Sequence, residues 1–168
     1  MSKAIDSLDE SDLVTMSLID GRITRLTETP AAERGGMFSP DGRFIAYASN
    51  ESGDWQVYVR PYPEFESFRT TVSAGGGRFP MWSRDGTELF YIQDRRRMMA
   101  VTVTTEPTFA TSRPEMLFEG DFYLQVNGDQ SYDVRRNGRF VMIQEGGDSQ
   151  SLVVVTNFSE ELNARVGN

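Results

Sequence analysis

The sequence predicts an all-β chain built from four-stranded antiparallel sheets, the blades of a β-propeller. Three observations carry this expectation. A short polar turn recurs: Phe38-Ser39-Pro40-Asp41-Gly42 returns as Trp82-Ser83-Arg84-Asp85-Gly86 and, in weaker form, as Val134-Arg135-Arg136-Asn137-Gly138. Each copy leads directly into an apolar run, at 43–48, 88–92 and 139–143. Asp41 and Asp85 stand 44 positions apart, and Asp85 and Asn137 stand 52, with almost no helical periodicity between them. Periods of this size belong to repeat architectures, and short strands with turn residues between them belong to propeller blades.

Residues 13–18 have strand composition and stand ahead of the first hairpin without a partner in it, followed by a weaker, more polar strand at 23–27. The first turn at 38–42 then joins an inner strand to the run at 43–48. That run is apolar at every position from Phe44 to Ala48, so both of its faces are expected to be buried. A third strand follows at 56–60 and a polar fourth one at 68–73. The second unit repeats this order with strands at 88–92, 99–103 and 115–118, and the third supplies 139–143 and 152–156. Only 159–162, Ser-Glu-Glu-Leu, reads as a capped helical turn.

The turn chemistry explains the motif. Proline pre-sets φ for the second position of a type I turn, aspartate bonds nearby backbone, and glycine accepts a positive φ as the chain enters the next strand. Gly42 and Gly86 are therefore hairpin residues rather than site residues.

Composition narrows the function. The 168 residues suit one domain, able to bury roughly 70% of its unfolded surface. The chain has no Cys and no His, which removes disulfides, thiolate nucleophiles, Ser-His-Asp triads and imidazole metal ligands. Lys+Arg 17 against Asp+Glu 25 gives a net charge of −8, a field that repels phosphate backbones and anionic lipid, so no nucleic-acid partner is expected. No apolar stretch approaches the roughly 20 residues of a membrane helix, and no membrane insertion is expected. The first twelve residues are polar and acidic, without the basic and apolar regions of a secretory signal, so the chain as written is expected to stay in the cytoplasm.

The stretches FSPDGRFIAY, DWQVYVRPYP and SAGGGRFPMWSRDGTELFYI, with RRMMAVTV, resemble the TolB-like or WD40-like (PD40) propeller repeat. Residues 12–162 further resemble the C-terminal part of the propeller sensor domains of bacterial serine/threonine protein kinases, which end in a pattern similar to LVVVTNFSEEL at 152–162. The third turn departs from the pattern, which prefers an aromatic, Ser, Pro and Asp where this chain has Val134, Arg135, Arg136 and Asn137. The resemblance implies a binding or sensing propeller, often extracytoplasmic, and the kinase and transmembrane parts of those proteins have no counterpart among these residues. The expected organisation is an acidic segment at 1–11, blades at 12–162 and a tail at 163–168. About three blades would make half of a six-bladed ring, so a homodimer that completes the ring is expected, its two apolar end faces covered by pairing.

In a propeller, the loops entering each innermost strand and those joining second to third strands gather on one face. Here these are 29–36, 73–79, 119–130, 50–54, 94–97 and 145–150. Arg34 and Arg78 occupy equivalent positions, with Gln130 in the third slot, and both arginines can clamp a partner's carboxylate or pair with local acids such as Glu33. Arg95 and Arg96 belong to the one basic run, read as a solvated turn or an anion clamp, and Phe79, Phe122 and Tyr123 are aromatics of the presumed contact loops. Trp55, Phe65, Phe68 and Phe109 read as core or loop packing.

Gly75-Gly76-Gly77 lacks the Lys-Ser/Thr and helix of a phosphate loop and reads as a flexible loop. Glu119, Asp121, Asn127, Asp129 and Asp133 form an oxygen-rich patch that matches no EF-hand spacing, so no metal or other cofactor is assigned. The expected function is a non-enzymatic module that binds a protein or peptide through Arg34, Arg78, Phe79, Arg95, Arg96, Tyr123 and Gln130. The alternatives are a propeller hydrolase with carboxylate-bound Ca²⁺ and a structural assembly remnant of a larger propeller protein.

Overall fold

The computed structural model of the chain describes residues 11–124, 131–135, 138–144 and 151–155. These residues form fourteen strands in four antiparallel sheets, and no helix among them is long and apolar enough to cross a membrane. The first sheet pairs β1 (Val14–Met16) with β2 (Ile23–Arg25). The second runs β3 (Glu33–Phe38), β4 (Phe44–Ser49), β5 (Gln56–Pro61), β6 (Thr70–Thr71), each strand beside its sequence neighbour.

The third sheet begins β7 (Arg78–Trp82), β8 (Glu88–Gln93), β9 (Arg97–Thr104). The outer edge of β9 carries two short strands, β10 (Ala110–Thr111) at its far end and β11 (Glu115–Glu119) along its first half. The fourth sheet is β12 (Tyr132–Val134), β13 (Phe140–Gln144), β14 (Ser151–Val155).

Two complete blades thus lie between a two-stranded and a three-stranded sheet. The strand expected at 13–18, ahead of the first hairpin, is β1, and it pairs with β2, the strand expected at 23–27, because the turn at 18–20 sets Met16 opposite Ile23. The expected helical turn at 159–162 and the end of the strand at 152–156 fall outside the described residues.

The core consists of the seams between neighbouring sheets, as the doubly apolar strands require. Phe44 and Ala46 of β4 join Trp82, Leu89 and Tyr91 of the third sheet in one seam. Ile45 and Tyr47, one position out of step, face the other way with Tyr58 and Phe65, against Leu13 and Leu26 beside the first sheet. In β8 the same division sends Leu89 and Tyr91 to the second sheet, and Phe90 and Ile92 to Tyr132, Phe140 and Met142 of the fourth. Each fully buried Leu, Val or Phe contributes about 1.5–3 kcal/mol relative to leaving it in water, so every blade is held mainly by its neighbours. Hydrogen bonds across seams fix the stacking: Trp82 Nε1 donates to the Met37 carbonyl at 3.3 Å, and the Tyr132 hydroxyl to the Phe79 carbonyl at 2.8 Å.

The repeated turn is a side-chain network. Ser39 Oγ donates to Asp41 Oδ1 (2.6 Å) and accepts from the Phe44 amide (3.0 Å), while the Arg43 amide donates to Asp41 (3.1 Å). In the next blade Ser83, Asp85, Glu88 and Thr87 repeat these bonds at 2.7, 2.9 and 3.1 Å. Gly42 and Gly86 have φ of 73° and 75°, the left-handed values that the motif predicts. The third copy has Arg135 in the serine position, and its backbone closure, Gly138 N to Arg135 O at 3.0 Å, matches the bonds that close the other two turns.

Candidate functional site

A matching irregularity in two inner strands creates the site. In β3 the register slips between Arg34 and Met37, and in β7 between Arg78 and Met81. Each bulge contains a residue in the left-handed region, Gly35 at φ 65° and Phe79 at φ 58°. Glycine takes this conformation freely, whereas a bulky aromatic does so at a cost of roughly 1–3 kcal/mol. A bulge re-aims the side chains beside it, and here it directs Arg78 across the seam. Its guanidinium carbon lies 4.4 Å from the centroid of the Trp55 ring, and that of Arg34 lies 5.5 Å from the same ring.

The surrounding loops are tied down. The Gly77 amide donates to the Trp55 carbonyl at 2.8 Å, and Gln93 Nε2 donates to the carbonyls of Ala74 and Gly75 at 3.2 and 3.0 Å. Ser73 Oγ accepts from the Val57 amide and donates to Gln56 Oε1. The glycine-rich segment, expected to be a flexible loop, is therefore held at both the start of β5 and the end of β8. A Cβ on Gly77 would stand 2.8 Å from the Tyr91 ring, so glycine is required there for close approach.

Between these walls lies a cavity of about 460 Å³, bounded by Trp55, Arg78, Phe79, Arg95 and Leu124, with Asp54 and Asp94 also contributing. Three of the loop regions expected to share a face, 50–54, 73–79 and 94–97, supply most of this lining. Burial, then the positive charges of Arg34 and Arg95, push the Arg78 guanidinium below its ordinary range. Among the described residues no carboxylate lies within 4 Å of Arg78 or Arg95, although six other arginines have such partners. Asp94 is engaged by Arg97 at 3.2 Å. In a molecule of net charge −8, this is a local concentration of positive charge.

The structure brings Arg34, Arg78, Phe79 and Arg95 together and separates the other expected residues. Phe79 is not a loop residue: it lies in β7 and is only 4% exposed, because the bulge turns its ring into the seam where it floors the cavity. Arg96 points to the outer edge, where Glu119 and Asp121 take its guanidinium at 3.2 and 3.1 Å. Tyr123 is 36% exposed and its amide donates to the Ile143 carbonyl, away from the cavity lining. Gln130 lies outside the described residues, as do Asn127 and Asp129 of the oxygen-rich patch. Among the described residues no three of His, Cys, Asp and Glu group so as to hold a metal ion. Sequence reasoning missed Trp55, the aromatic on which the arginines converge, and the signal available was its position at the end of one of the assigned loops.

No protein-family model matches the chain. Its sequence is similar to an uncharacterized protein of Agrobacterium fabrum, 32% identical over 81 residues that cover 48% of this chain and 28% of that one. Among solved structures it is similar to TolB from Acinetobacter baumannii (TM-score 0.63, 14% identity, covering 86% of this chain and 35% of that one). It is also similar to oligogalacturonate lyase from Vibrio parahaemolyticus (TM-score 0.55, 17% identity, covering 81% and 36%). The chain thus spans between a quarter and two fifths of the length of these proteins, and its fold is that of TolB-like β-propeller blades.

Proposed function

We propose that the chain is a non-enzymatic propeller module that binds a protein or peptide partner on the face where the loops 50–55, 74–77 and 94–96 meet. The observation that carries this reading is the convergence of Arg78 and Arg34 on Trp55 at the cavity. Tryptophan and arginine dominate binding hot spots because they combine large contact area with directed hydrogen bonds. The groups available for chemistry are fewer. Burial pushes the Tyr91 phenol up to about 12 and holds that of Tyr132 well above its ordinary range, so both remain protonated parts of the core. Affinity capture with the wild-type chain and the double variant Arg34→Ala, Arg78→Ala tests the reading. A partner recovered by the wild type and depleted with the variant supports it, and equal recovery overturns it.

We also propose that two copies associate through the end sheets. Val14, Met16 and Ile23 share one face of the first sheet at 55%, 60% and 65% exposure, and Val141 and Ile143 on the outer face of the fourth are 39% and 36% exposed. Two-fold pairing of first sheet to fourth sheet covers both faces in both copies and closes a ring. Light scattering should give twice the chain mass, falling to the single-chain value for Met16→Ser with Ile23→Ser; a single-chain mass for the wild type removes the proposal.

A further inference from the structure

The cavity beside Trp55 has a chemistry that specifies the ligand more closely than its position does. The Arg78 guanidinium carbon lies over the Trp55 ring at 4.4 Å and over the Phe79 ring at 5.3 Å, a cation–π cradle that uses the charge and leaves N–H groups to offer a planar acceptor. These ring contacts also hold the side chain in place before any ligand arrives, so little rotamer freedom remains to be lost on binding. Arg95 supplies a second cation at the rim, on a turn in which Asp94 and Arg95 both have positive φ, 50° and 60°. Two consecutive left-handed non-glycine residues are uncommon, and this strain coincides with that of Phe79 on the same cavity.

Asp54 and Asp94 stand at the rim beside these cations. They oppose a dianion such as phosphate more strongly than a singly charged carboxylate. Asp54, which has no cation within 4 Å among the described residues, is an acceptor suited to a peptide N–H. A volume of about 460 Å³ accommodates a few amino-acid residues rather than a folded surface.

We infer that this cavity is a recognition pocket for an acidic peptide segment, in which the side-chain carboxylate of Asp or Glu is clamped by Arg78 and Arg95 while the peptide backbone lies along Trp55. The inference rests on the binding reading above and names the partner's chemistry. Fork geometry makes Arg78 more than a point charge: lysine in its place keeps the charge and loses the paired hydrogen bonds.

The test is selection of phage-displayed random heptapeptides on the immobilised full chain, followed by titration of the best synthetic peptide and its Asp→Asn or Glu→Gln counterpart. Enrichment of acidic peptides, with affinity falling about tenfold or more for the amide counterpart and for Arg78→Lys, is the expected result. Arg95→Asn, an exposed turn variant that suits a positive φ, should weaken the same peptide several-fold while circular dichroism stays unchanged. Enrichment of peptides without acidic residues, bound equally well by Arg78→Lys and Arg95→Asn, overturns the carboxylate pocket and leaves peptide binding standing. Failure to enrich any sequence overturns both.

Discussion

The Arg78 guanidinium lies over Trp55 across the seam between two blades, with 4.4 Å between its central carbon and the ring centroid. Trp55 leads into β5 of the second sheet and Arg78 opens β7 of the third, so the pair is both an inter-blade contact and part of the cavity wall. Replacing Trp55 with Ala should lower stability by about 1–2 kcal/mol through the lost cation–π contact and packing. Urea denaturation measures this. Trp55→Phe, which preserves an aromatic face, should recover most of the loss, and equal losses for the two variants would contradict the cation–π account.

The turn glycines separate two reasons for glycine. Gly42 has φ 73° and nothing within 4 Å of where a Cβ would stand, so Gly42→Ala costs only backbone conformation, about 1–2 kcal/mol, and Gly42→Asn should cost less. Gly77 has no such φ but faces Tyr91 Cδ2 at 2.8 Å, so Gly77→Ala must displace a buried ring, and Asn at that position should be worse than Ala. Thermal melts of the four variants should therefore rank Ala and Asn in opposite orders at the two positions.

These differences mark where the sequence is legible. Ser39, Asp41, Gly42 and Phe44 interact within five positions, so their network repeats wherever the pattern repeats and can be read from it directly. The alternate-facing burial of β4 and β8 is equally local, because each residue's direction follows from the pleat. The site is not local. Trp55 meets Arg78 only because a bulge at Phe79 slips the register of β7, and no residue near Trp55 announces that slip. Phe79 escapes the sequence for the same reason: an aromatic after Gly-Gly-Gly-Arg reads as loop, whereas the strand begins at Arg78. The equivalence of Gly35 and Phe79 was readable from the period, yet a glycine and a phenylalanine give no hint that they share a left-handed conformation.

Acid sensitivity should arise partly at the turns. Burial alone would raise the Asp41 pKa, but hydrogen bonds from Ser39 and Arg43 and the charge of Arg43 outweigh it and lower the carboxyl to about 2. A carboxyl with a depressed folded pKa stabilises the fold above its unfolded pKa, and that contribution is lost as pH falls through the folded one. The window is therefore from about pH 4 down to about pH 2. Asp85 is shifted the same way, by Ser83 first and then Thr87. Both groups are close enough to solvent that screening keeps each contribution small. Stability of Asp41→Asn should be lower than wild type at pH 7 and should decline less steeply between pH 4 and pH 2 in equilibrium unfolding; parallel acid limbs would contradict the assignment.

At Arg95 the proposed clamp sets stability against binding. Its φ of 60° is unfavourable for an arginine, and Asp94 before it shares the burden at 50°. Asparagine tolerates this region better, since its short polar side chain bonds local backbone. Arg95 is exposed and has no carboxylate within 4 Å among the described residues, so Arg95→Asn gives up no ion pair seen there. It also relieves Arg78 of one of the two positive charges that depress its pKa. Both effects favour the folded state, and Arg95→Asn should raise stability by about 0.5–1 kcal/mol. The same substitution removes the second arm of the proposed carboxylate clamp. Denaturation and peptide titration of one variant should thus move in opposite directions, a more stable chain that binds acidic peptide more weakly. A variant that loses stability would show that Arg95 is held by contacts in the fold rather than by function.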